Sequence, residues 1–399
     1  MTTNGKATPR SSYFFETFFK DLRYGARSLL KSPMFTVVVT LTLALGIGAN
    51  TAIFTLVNAV MIRSLPIEQP EGLYVLGAST KMGQRVSDTP EERDDSLFSF
   101  PLYQDFAQQE DLFGQAAALS SYPIDVFATE EAPVPGEPME RYQARLVTGN
   151  FFSVLGVPPA IGRTFSPADD QTPGAHPVAV ISHGLWTRKF AQDPYIVNRT
   201  IDLSGTRYAV LGVTPPDFRG VTVGHSTDVW VPMAMQAEIE RVPSVLDDRH
   251  TMWLRILGRL ETGVSAEAGE ARLNELYRRI VTDQVGSDLS EESRQTIAAL
   301  GTELVPFSKG FSPLRIRYSR PLLFLMSVVG LVLLIACANV GNLQLARAAS
   351  REQEVALRMA LGSTRNRLLR HFLTEGLILA LLGGTAGLLV ARWLISLLL

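Results

Sequence analysis

Cysteine and charge are what this sequence has least of. Its 399 residues include one cysteine, and Asp, Glu, Lys and Arg together make up 19%. A lone thiol excludes an intrachain disulfide scaffold and any cysteine-rich metal site. Soluble domains usually carry about 25% charge, so the chain is charge-poor. At 46% hydrophobic residues and a mean hydropathy of +0.13 it is also apolar-rich. A count of 37 Lys and Arg against 39 Asp and Glu leaves a net charge of −2. That argues against a bulk nucleic-acid binder, which carries a basic surplus. Common catalytic motifs are missing too: there is no GxxxxGKS or GxxxxGKT, and no HExxH, GxSxG or CxxC. Without the first, the chain has no ordinary cradle for nucleotide phosphates.

The apolar residues are concentrated in three runs. Met34–Ile62 and Pro321–Ala346 contain no charged residue, and a third run is charge-free from Gly376 to Ala391 before WLISLLL follows Arg392. A membrane-spanning helix needs about 20 apolar residues at roughly 1.5 Å rise each. The first two runs exceed that length, and the third reaches it if Arg392 lies near a headgroup layer. A buried core helix seldom runs beyond about 20 residues without a charge. The first run is too long for a signal-peptide core and has no clear small-x-small cleavage site after it, so an uncleaved anchor is expected. The expected fold class is α+β: three transmembrane helices, with a large mixed α/β extracytoplasmic domain between the first and second.

Charge placement predicts the orientation. Lys6, Arg10, Lys20, Arg23, Arg27 and Lys31 precede the first run, with Glu16 and Asp21 as the only anions. Arg347, Arg351, Arg358, Arg365, Arg367 and Arg370 stand between the second and third runs against Glu352, Glu354 and Glu375. The segment 63–320 holds 24 cations and 34 anions. Short flanks rich in Lys and Arg stay cytoplasmic, whereas a long domain translocates largely regardless of its charge. The expected layout is a cytoplasmic N-terminus over 1–33, spans at 34–62, 321–346 and 372–399, an outer domain over 63–320, and a cytoplasmic loop over 347–371. Within 13–31, Phe15, Phe18, Phe19, Leu22, Ala26, Leu29 and Leu30 share one helical face, with Lys20, Arg23, Arg27 and Lys31 on its flank. Such a helix suits the inner headgroup layer, against anionic lipid. The alternative is a helix packed on a partner protein.

In the outer segment, Pro177–Ser182 reads as a buried strand. Ile196–Leu203 and Arg207–Val213 read as a hairpin around Ser204-Gly205. Trp253–Leu260 reads as a further strand, Gly149–Gly156 as a short helix, and Ala266–Val281 as a helix with Leu273, Leu276, Tyr277 and Ile280 on one face. Glu131–Pro138 marks a surface loop. About 258 residues can bury a core, and two subdomains are expected. His176, His183, His225 and His250 are scattered, and the Asp pairs 94–95, 169–170 and 247–248 suit solvated turns. No catalytic, metal-ligating or cofactor-binding residue, and no cofactor, is expected. The first two spans contain no Asp, Glu, Lys, Arg or His, groups that ion-coupled carriers place at mid-membrane. Asn50, Asn58, Asn339 and Asn342 suit interhelical hydrogen bonds, and Gly383 with Gly387 forms a GxxxG face. In the loop, Gly362-Ser363 reads as a helix stop and a new N-cap. Residues 351–361 then form either a solvated connecting helix with pairs such as Glu354–Arg358, or a handle for a cytoplasmic partner.

Three blocks carry a family resemblance. The first is Asp21–Val60, DLRYGARSLLKSPMFTVVVTLTLALGIGANTAIFTLVNAV. The second is the series GNFFSVLGVPPAIGRTF, VAVISHGLWTRKF and GVTPPDFRG at Gly149–Phe165, Val178–Phe190 and Gly212–Gly220. The third is Leu333–Leu389, which includes ANVGNLQLARAASREQEVALRMALGSTRNRLLRHFLTEG. Together they resemble the MacB-type permeases of ABC transporters, in the FtsX/LolCDE superfamily, and most of all the acidobacterial duplicated permeases. The resemblance covers nearly the whole chain. It implies a MacB-like periplasmic core domain between spans one and two, and an FtsX-type domain starting near span two. It further implies a separate ATPase subunit docked on the cytoplasmic loop, with Arg351, Glu352, Glu354, Arg358, Leu361 and Gly362 forming the ATPase-coupling helix. A permease dimer in the inner membrane, extruding substrate with a periplasmic adaptor or outer-membrane duct, belongs to the same expectation. Leu203-Ser204-Gly205 matches the start of an ABC ATPase signature, but its place in a hairpin of the outer domain makes that a coincidence. MacB-type permeases have four spans, so three imply a C-terminal truncation. The alternative function is an FtsX-like signalling protein that regulates a periplasmic partner such as a cell-wall hydrolase.

Overall fold

In the computed structural model the described residues are 22–23, 25–78, 84–85, 97–109, 113–128, 140–261, 263–286, 290–350 and 365–398. The chain divides into two compact units, Met1–Ile62 with Arg315–Leu399, and Arg63–Leu314. In the first unit, residues 25–30 are helical and Ser32-Pro33 breaks the helix before α1 (Pro33–Val57) begins. A proline at the first helical position gives up no needed hydrogen bond and presets φ. The Thr36 hydroxyl spans the break, donating to the Leu29 carbonyl at 2.9 Å and to the Ser32 carbonyl at 3.1 Å. α1 runs into a π-helical turn, Asn58–Ile62.

The second unit opens with β1 (Leu73–Ala78), β2 (Gln84–Arg85), α2 (Phe100–Ala107), β3 (Phe113–Ser120), β4 (Ile124–Phe127) and β5 (Arg141–Val147). Next come α3 (Phe151–Leu155), β6 (Ile161–Gly162), β7 (Val178–Ile181), α4 (His183–Phe190), β8 (Thr200–Leu203), β9 (Thr206–Val213) and β10 (Val229–Pro232). It closes with α5 (Gln236–Glu240), β11 (Thr251–Met252), β12 (Leu254–Leu260), α6 (Ala266–Val285), α7 (Glu291–Ala298) and β13 (Thr302–Pro306). Eleven strands form one mixed sheet in the order β13-β1-β12-β3-β5-β10-β7-β9-β6, with β4 on β5 and β8 on β9. The two subdomains expected from length therefore share a single sheet. Strand residues alternate between two cores, because successive side chains point to opposite faces. Ala116, Ala118, Ala144, Leu146, Val229 and Val231 face one core, against α2 and α6. Ala117, Leu119, Val147, Trp230 and Leu257 face the other. That second core is built around Phe152, whose ring centroid lies 5.4 Å from Phe151, 5.7 Å from Trp230 and 6.2 Å from Phe218. Such aromatic pairs each add about 1 kcal/mol beyond the area they bury.

The strands and helices predicted between 149 and 281 are present with shifted edges, whereas Phe15, Phe18, Phe19 and Lys20 of the predicted amphipathic helix lie outside the described residues. The hairpin turns on Ser204 (φ 54°) and Gly205 (φ 87°), the two positive-φ positions a tight hairpin turn requires. Asp202 Oδ1 secures it by accepting from the Gly205 N–H at 2.7 Å. Leu273 and Tyr277 on α6 are buried, with Leu276 and Ile280 packed beside them. The Asp169–Asp170 pair departs from the solvated turn expected of it. Asp169 caps the 3₁₀ turn Pro167–Asp170 and accepts from both Arg163 Nη1 (2.7 Å) and Arg163 Nη2 (2.8 Å). Asp170 is half-buried and accepts from the backbone N–H groups of Gly149 (3.0 Å) and Ala234 (2.7 Å). A local sequence pattern cannot show these partners, which lie up to 64 residues away.

The last elements are α8 (Pro313–Ser350) and α9 (Arg365–Leu398). α8 begins eight residues before the expected span at 321, because helix geometry does not require the apolar composition that marked that boundary. Its first turns carry Arg315, Arg317 and Arg320, and Pro321 lies inside the helix. Among the described residues, three stretches are long and apolar enough to cross a membrane: Pro33–Ile62, Arg317–Ser350 and Leu373–Trp393. The protein is an integral membrane protein of mixed α/β architecture.

The two aspartates predict opposite pH responses. Arg163 holds the Asp169 carboxyl well below the usual carboxylate range, whereas burial pushes Asp170 from 3.8 up to about 6. The stabilisation from Asp169 is present above pH 3.8 and is lost as pH falls further. That from Asp170 is present below pH 3.8, declines up to about 6 and is then constant. Asp170→Asn should flatten the melting temperature of the full-length protein between these two values while leaving the acid limb intact. Thermal scans in detergent at stepped pH measure this.

Candidate functional site

Arg351, Glu352, Glu354, Arg358, Leu361 and Gly362, the expected coupling residues, lie outside the described residues, as do Ser363 and the loop Glu131–Pro138. The helices that enter and leave that segment are described. Arg347 stands in the last turn of α8, where a cation complements the helix dipole. From α8 its guanidinium reaches three other described helical segments of the unit. Nη2 donates to the Ser28 carbonyl at 3.0 Å, and Nη1 lies 3.9 Å from Glu375 Oε2 on α9. The charged group also covers the Phe35 ring of α1 at 4.5 Å from the centroid. Both charged side chains are largely removed from solvent, at 13% and 8% exposure. Planar guanidinium suits this multiple role, since it can stack on a ring while donating in several directions. Sequence reasoning counted Arg347 and Glu375 only as loop charges. A usable signal was present: each is the charged residue directly flanking an apolar run.

Close packing of α1 against α9 extends this contact along the helices. A Cβ added at Gly383 would stand 2.5 Å from Leu43 Cβ, and one at Gly48 would stand 3.0 Å from the Gly387 carbonyl oxygen. The GxxxG pair Gly383/Gly387 therefore meets α1, where the absence of side chains lets two backbones approach. At the far end of α1, the π-helical turn lies beside the start of α8. Arg315 Nε donates to the Val60 carbonyl at 3.1 Å, and Leu322 packs on Val57 and Val60. Single π turns leave backbone groups out of the regular ladder and concentrate at functional positions. Asn339 and Asn342 of α8 are exposed along with Leu331, Leu334 and Ile335.

In the Arg63–Leu314 unit, the segment entering from α1 and the segment leaving toward α8 are joined. Leu65 N–H donates to the Ser308 carbonyl at 2.8 Å, and Phe307 N–H donates to the Leu73 carbonyl at 2.8 Å. Phe311 is fixed in turn, donating to the Val221 carbonyl at 2.9 Å and accepting from Val223 N–H at 2.7 Å. Leu203-Ser204-Gly205 is the hairpin turn described above. Among the described residues, no group of three or more His, Cys, Asp or Glu could hold a metal ion.

The long apolar helices, with one mixed-sheet unit inserted between the first and second, match known families. A family model described as a MacB-like periplasmic core domain covers residues 36–276. The chain belongs to the MacB-like permease family. A second model, described as an FtsX-like permease C-terminal domain, covers 326–399 of this MacB-like permease. Curated relatives include the "Probable export ATP-binding/permease protein MacB" of Pseudomonas entomophila. It is 27% identical over 243 residues, covering 60% of this chain and 32% of that protein. The pyoverdine export ATP-binding/permease protein PvdT of Pseudomonas syringae pv. tomato is 26% identical over 243 residues, 61% of this chain and 33% of its own length. The chain thus spans about a third of the length of the curated relatives it matches. Among solved structures, the periplasmic region of MacB from Actinobacillus actinomycetemcomitans aligns with 57% of this chain and 88% of its own. It does so at 12% identity and a TM-score of 0.38.

Four variants test the helix contacts. Arg347→Met should destabilise the unit by about 3 kcal/mol by removing one member of a largely buried ion pair, and adding Glu375→Gln should restore part of that loss. Gly383→Leu should cost about 2 kcal/mol by overpacking against Leu43, whereas Gly384→Leu, with nothing within 4 Å of its added Cβ, should be tolerated. Thermal unfolding in detergent micelles reads all four.

Proposed function

We propose that this MacB-like permease couples a separate cytoplasmic ATPase to movements of its Arg63–Leu314 domain, for export of substrate across the cell envelope. Family membership combined with the layout of the chain carries this reading: the domain hangs on two apolar helices, and its entering and leaving segments are hydrogen-bonded to each other. Movement of either helix is then delivered to both ends of the domain together. The substrate need not pass between the spans, in keeping with first and second runs free of Asp, Glu, Lys, Arg and His.

The same proposal includes the orientation and the partners. Residues 1–33 and 347–371 lie in the cytoplasm by their Lys and Arg content, and 63–320 lies in the periplasm. The ATPase docks on Arg351, Glu352, Glu354, Arg358, Leu361 and Gly362, eliminating the need for a nucleotide site in this chain. Arg347 stands four residues before that segment and ties the end of α8 to α1 and α9, so a push delivered there is shared among the three long helices. A second permease copy completes the transporter, the basic helix before Ser32 rests on anionic lipid, and an adaptor or outer-membrane duct receives the cargo.

Reversing the charges of Glu354 and Arg358 should reduce co-purification of the cognate ABC ATPase by about tenfold while membrane insertion is unchanged. Undiminished capture would refute the docking assignment. Protease added to spheroplasts should cut within 63–320 and spare the N-terminus, and the reverse pattern would refute the orientation.

A further inference from the structure

Strand β12 carries two arginines, four residues apart, on the same face as Leu257. Arg259 takes hold of the segment that enters the domain. Its Nε donates to the Val154 carbonyl at 2.8 Å, its Nη1 to the Gln69 carbonyl at 2.8 Å, and its Nη2 to the Glu68 carbonyl. Glu68 N–H in turn donates to the Leu155 carbonyl at 3.2 Å, so the entering chain is fastened to both α3 and β12. Arg255 takes hold of the segment that leaves. Its guanidinium is buried and lies 4.1 Å from the centroid of the Phe311 ring, which itself packs on Phe307 at 4.5 Å. Between the two arginines, Leu257 belongs to the same core as Leu73 and Phe307. β12 also lies between β1, which continues the entering segment, and β3, while β13 reaches the leaving segment from the far side of β1.

We infer that Arg255 and Arg259 are positioning residues for the coupled movement: β12 grips the entering and leaving segments separately and passes their displacement into the sheet as one. The inference rests on the coupling reading above and deepens it. Two features of the contacts carry it. An aliphatic residue at 255 would have served burial alone, and a guanidinium is placed there at a cost in desolvation. Arg259 uses three donors on backbone carbonyls, whose positions are set by the chain path rather than by side-chain rotamers. A grip on backbone transmits displacement of that path directly, and Arg255, buried against a Phe311 ring whose own backbone is hydrogen-bonded to Val221 and Val223, has little room to change rotamer.

The test uses the full-length protein in lipid nanodiscs with its cognate ABC ATPase, in a Cys337→Ser background. Nitroxides are placed at Lys309→Cys, in the leaving segment, and at exposed Tyr195→Cys, between α4 and β8. Distance distributions are recorded without nucleotide and after ATP–vanadate trapping, and the depth of the Tyr195→Cys label relative to the membrane is recorded in both states. In the parent protein the label depth should change on trapping while the 195–309 distance stays narrow. Arg255→Gln and Arg259→Gln should leave that distance narrow without nucleotide but broaden it about twofold on trapping, with ATPase turnover within about twofold of the parent. Phe311→Leu, which removes the ring and keeps Arg255, should behave as Arg255→Gln does and serves if that variant does not fold. A distribution that remains narrow on trapping in these variants would overturn the assignment. Broadening already present without nucleotide would overturn it as well, marking a purely structural role. A parent label that does not change depth on trapping would overturn the coupling reading itself, a failure distinguishable from the other two because it appears before any arginine is altered.

Discussion

A guanidinium group can satisfy several partners at once, and the architecture of this permease uses that property wherever one chain segment meets another. Arg347 joins a carbonyl of the helix before α1, a ring on α1 and a carboxylate on α9. Arg315 reaches the carbonyl of Val60 within the π-helical turn. A lysine in either place would present one compact, strongly hydrated charge and could not stack and fork together. In a low-dielectric setting such multiple contacts also keep a buried cation from standing unsatisfied, which is the main hazard of placing charge there. The rest of the helical unit is apolar surface, for which lipid is as good a neighbour as another helix. Specific association therefore falls to these few polar junctions and to the glycine contacts at Gly48, Gly383 and Gly387.

The Arg63–Leu314 unit is built on a different principle. A single sheet with a hydrophobic core on each face has little freedom to bend locally, because its central strands are packed from both sides and interiors are as dense as organic crystals. Phe151, Phe152, Phe218 and Trp230 fill one face, and Phe98, Phe106 and Tyr277 fill part of the other. A device that works by displacement benefits from such a body, since displacement at one edge is not dissipated by rearrangement inside.

Much of this was legible in the sequence, for identifiable reasons. Charge-free runs are a property of composition, so the apolar helices were visible without any knowledge of contacts. The β8–β9 hairpin was visible because Ser204-Gly205 meets a purely local demand for positive φ. Leu273 and Tyr277 were visible through helical periodicity. What could not be read was every feature that depends on residues far apart in the chain. Asp170 resembles a solvated turn until Gly149 and Ala234 are brought to it. The continuity of the sheet across the expected subdomains depends on pairing of β5 with β10, more than eighty residues along the chain. The polar first turns of α8 were invisible to a search for apolar runs, because a helix continues through charged residues that a hydropathy boundary excludes. Arg347 and Glu375 were seen as charges, but their mutual placement follows from the packing of α8 and α9, which spacing alone does not specify.

The turn at Asn58–Ile62 carries a geometric implication for everything downstream of it. A π turn holds one residue more than the α-helical turn it replaces, and each residue of an α-helix advances the chain by roughly 100° about its axis. A single supernumerary residue at the end of α1 therefore rotates the helical face that follows it by roughly 100°. Evolution could re-aim the polypeptide leaving this helix by losing or gaining that one residue, with the apolar surface of the preceding turns left as it is.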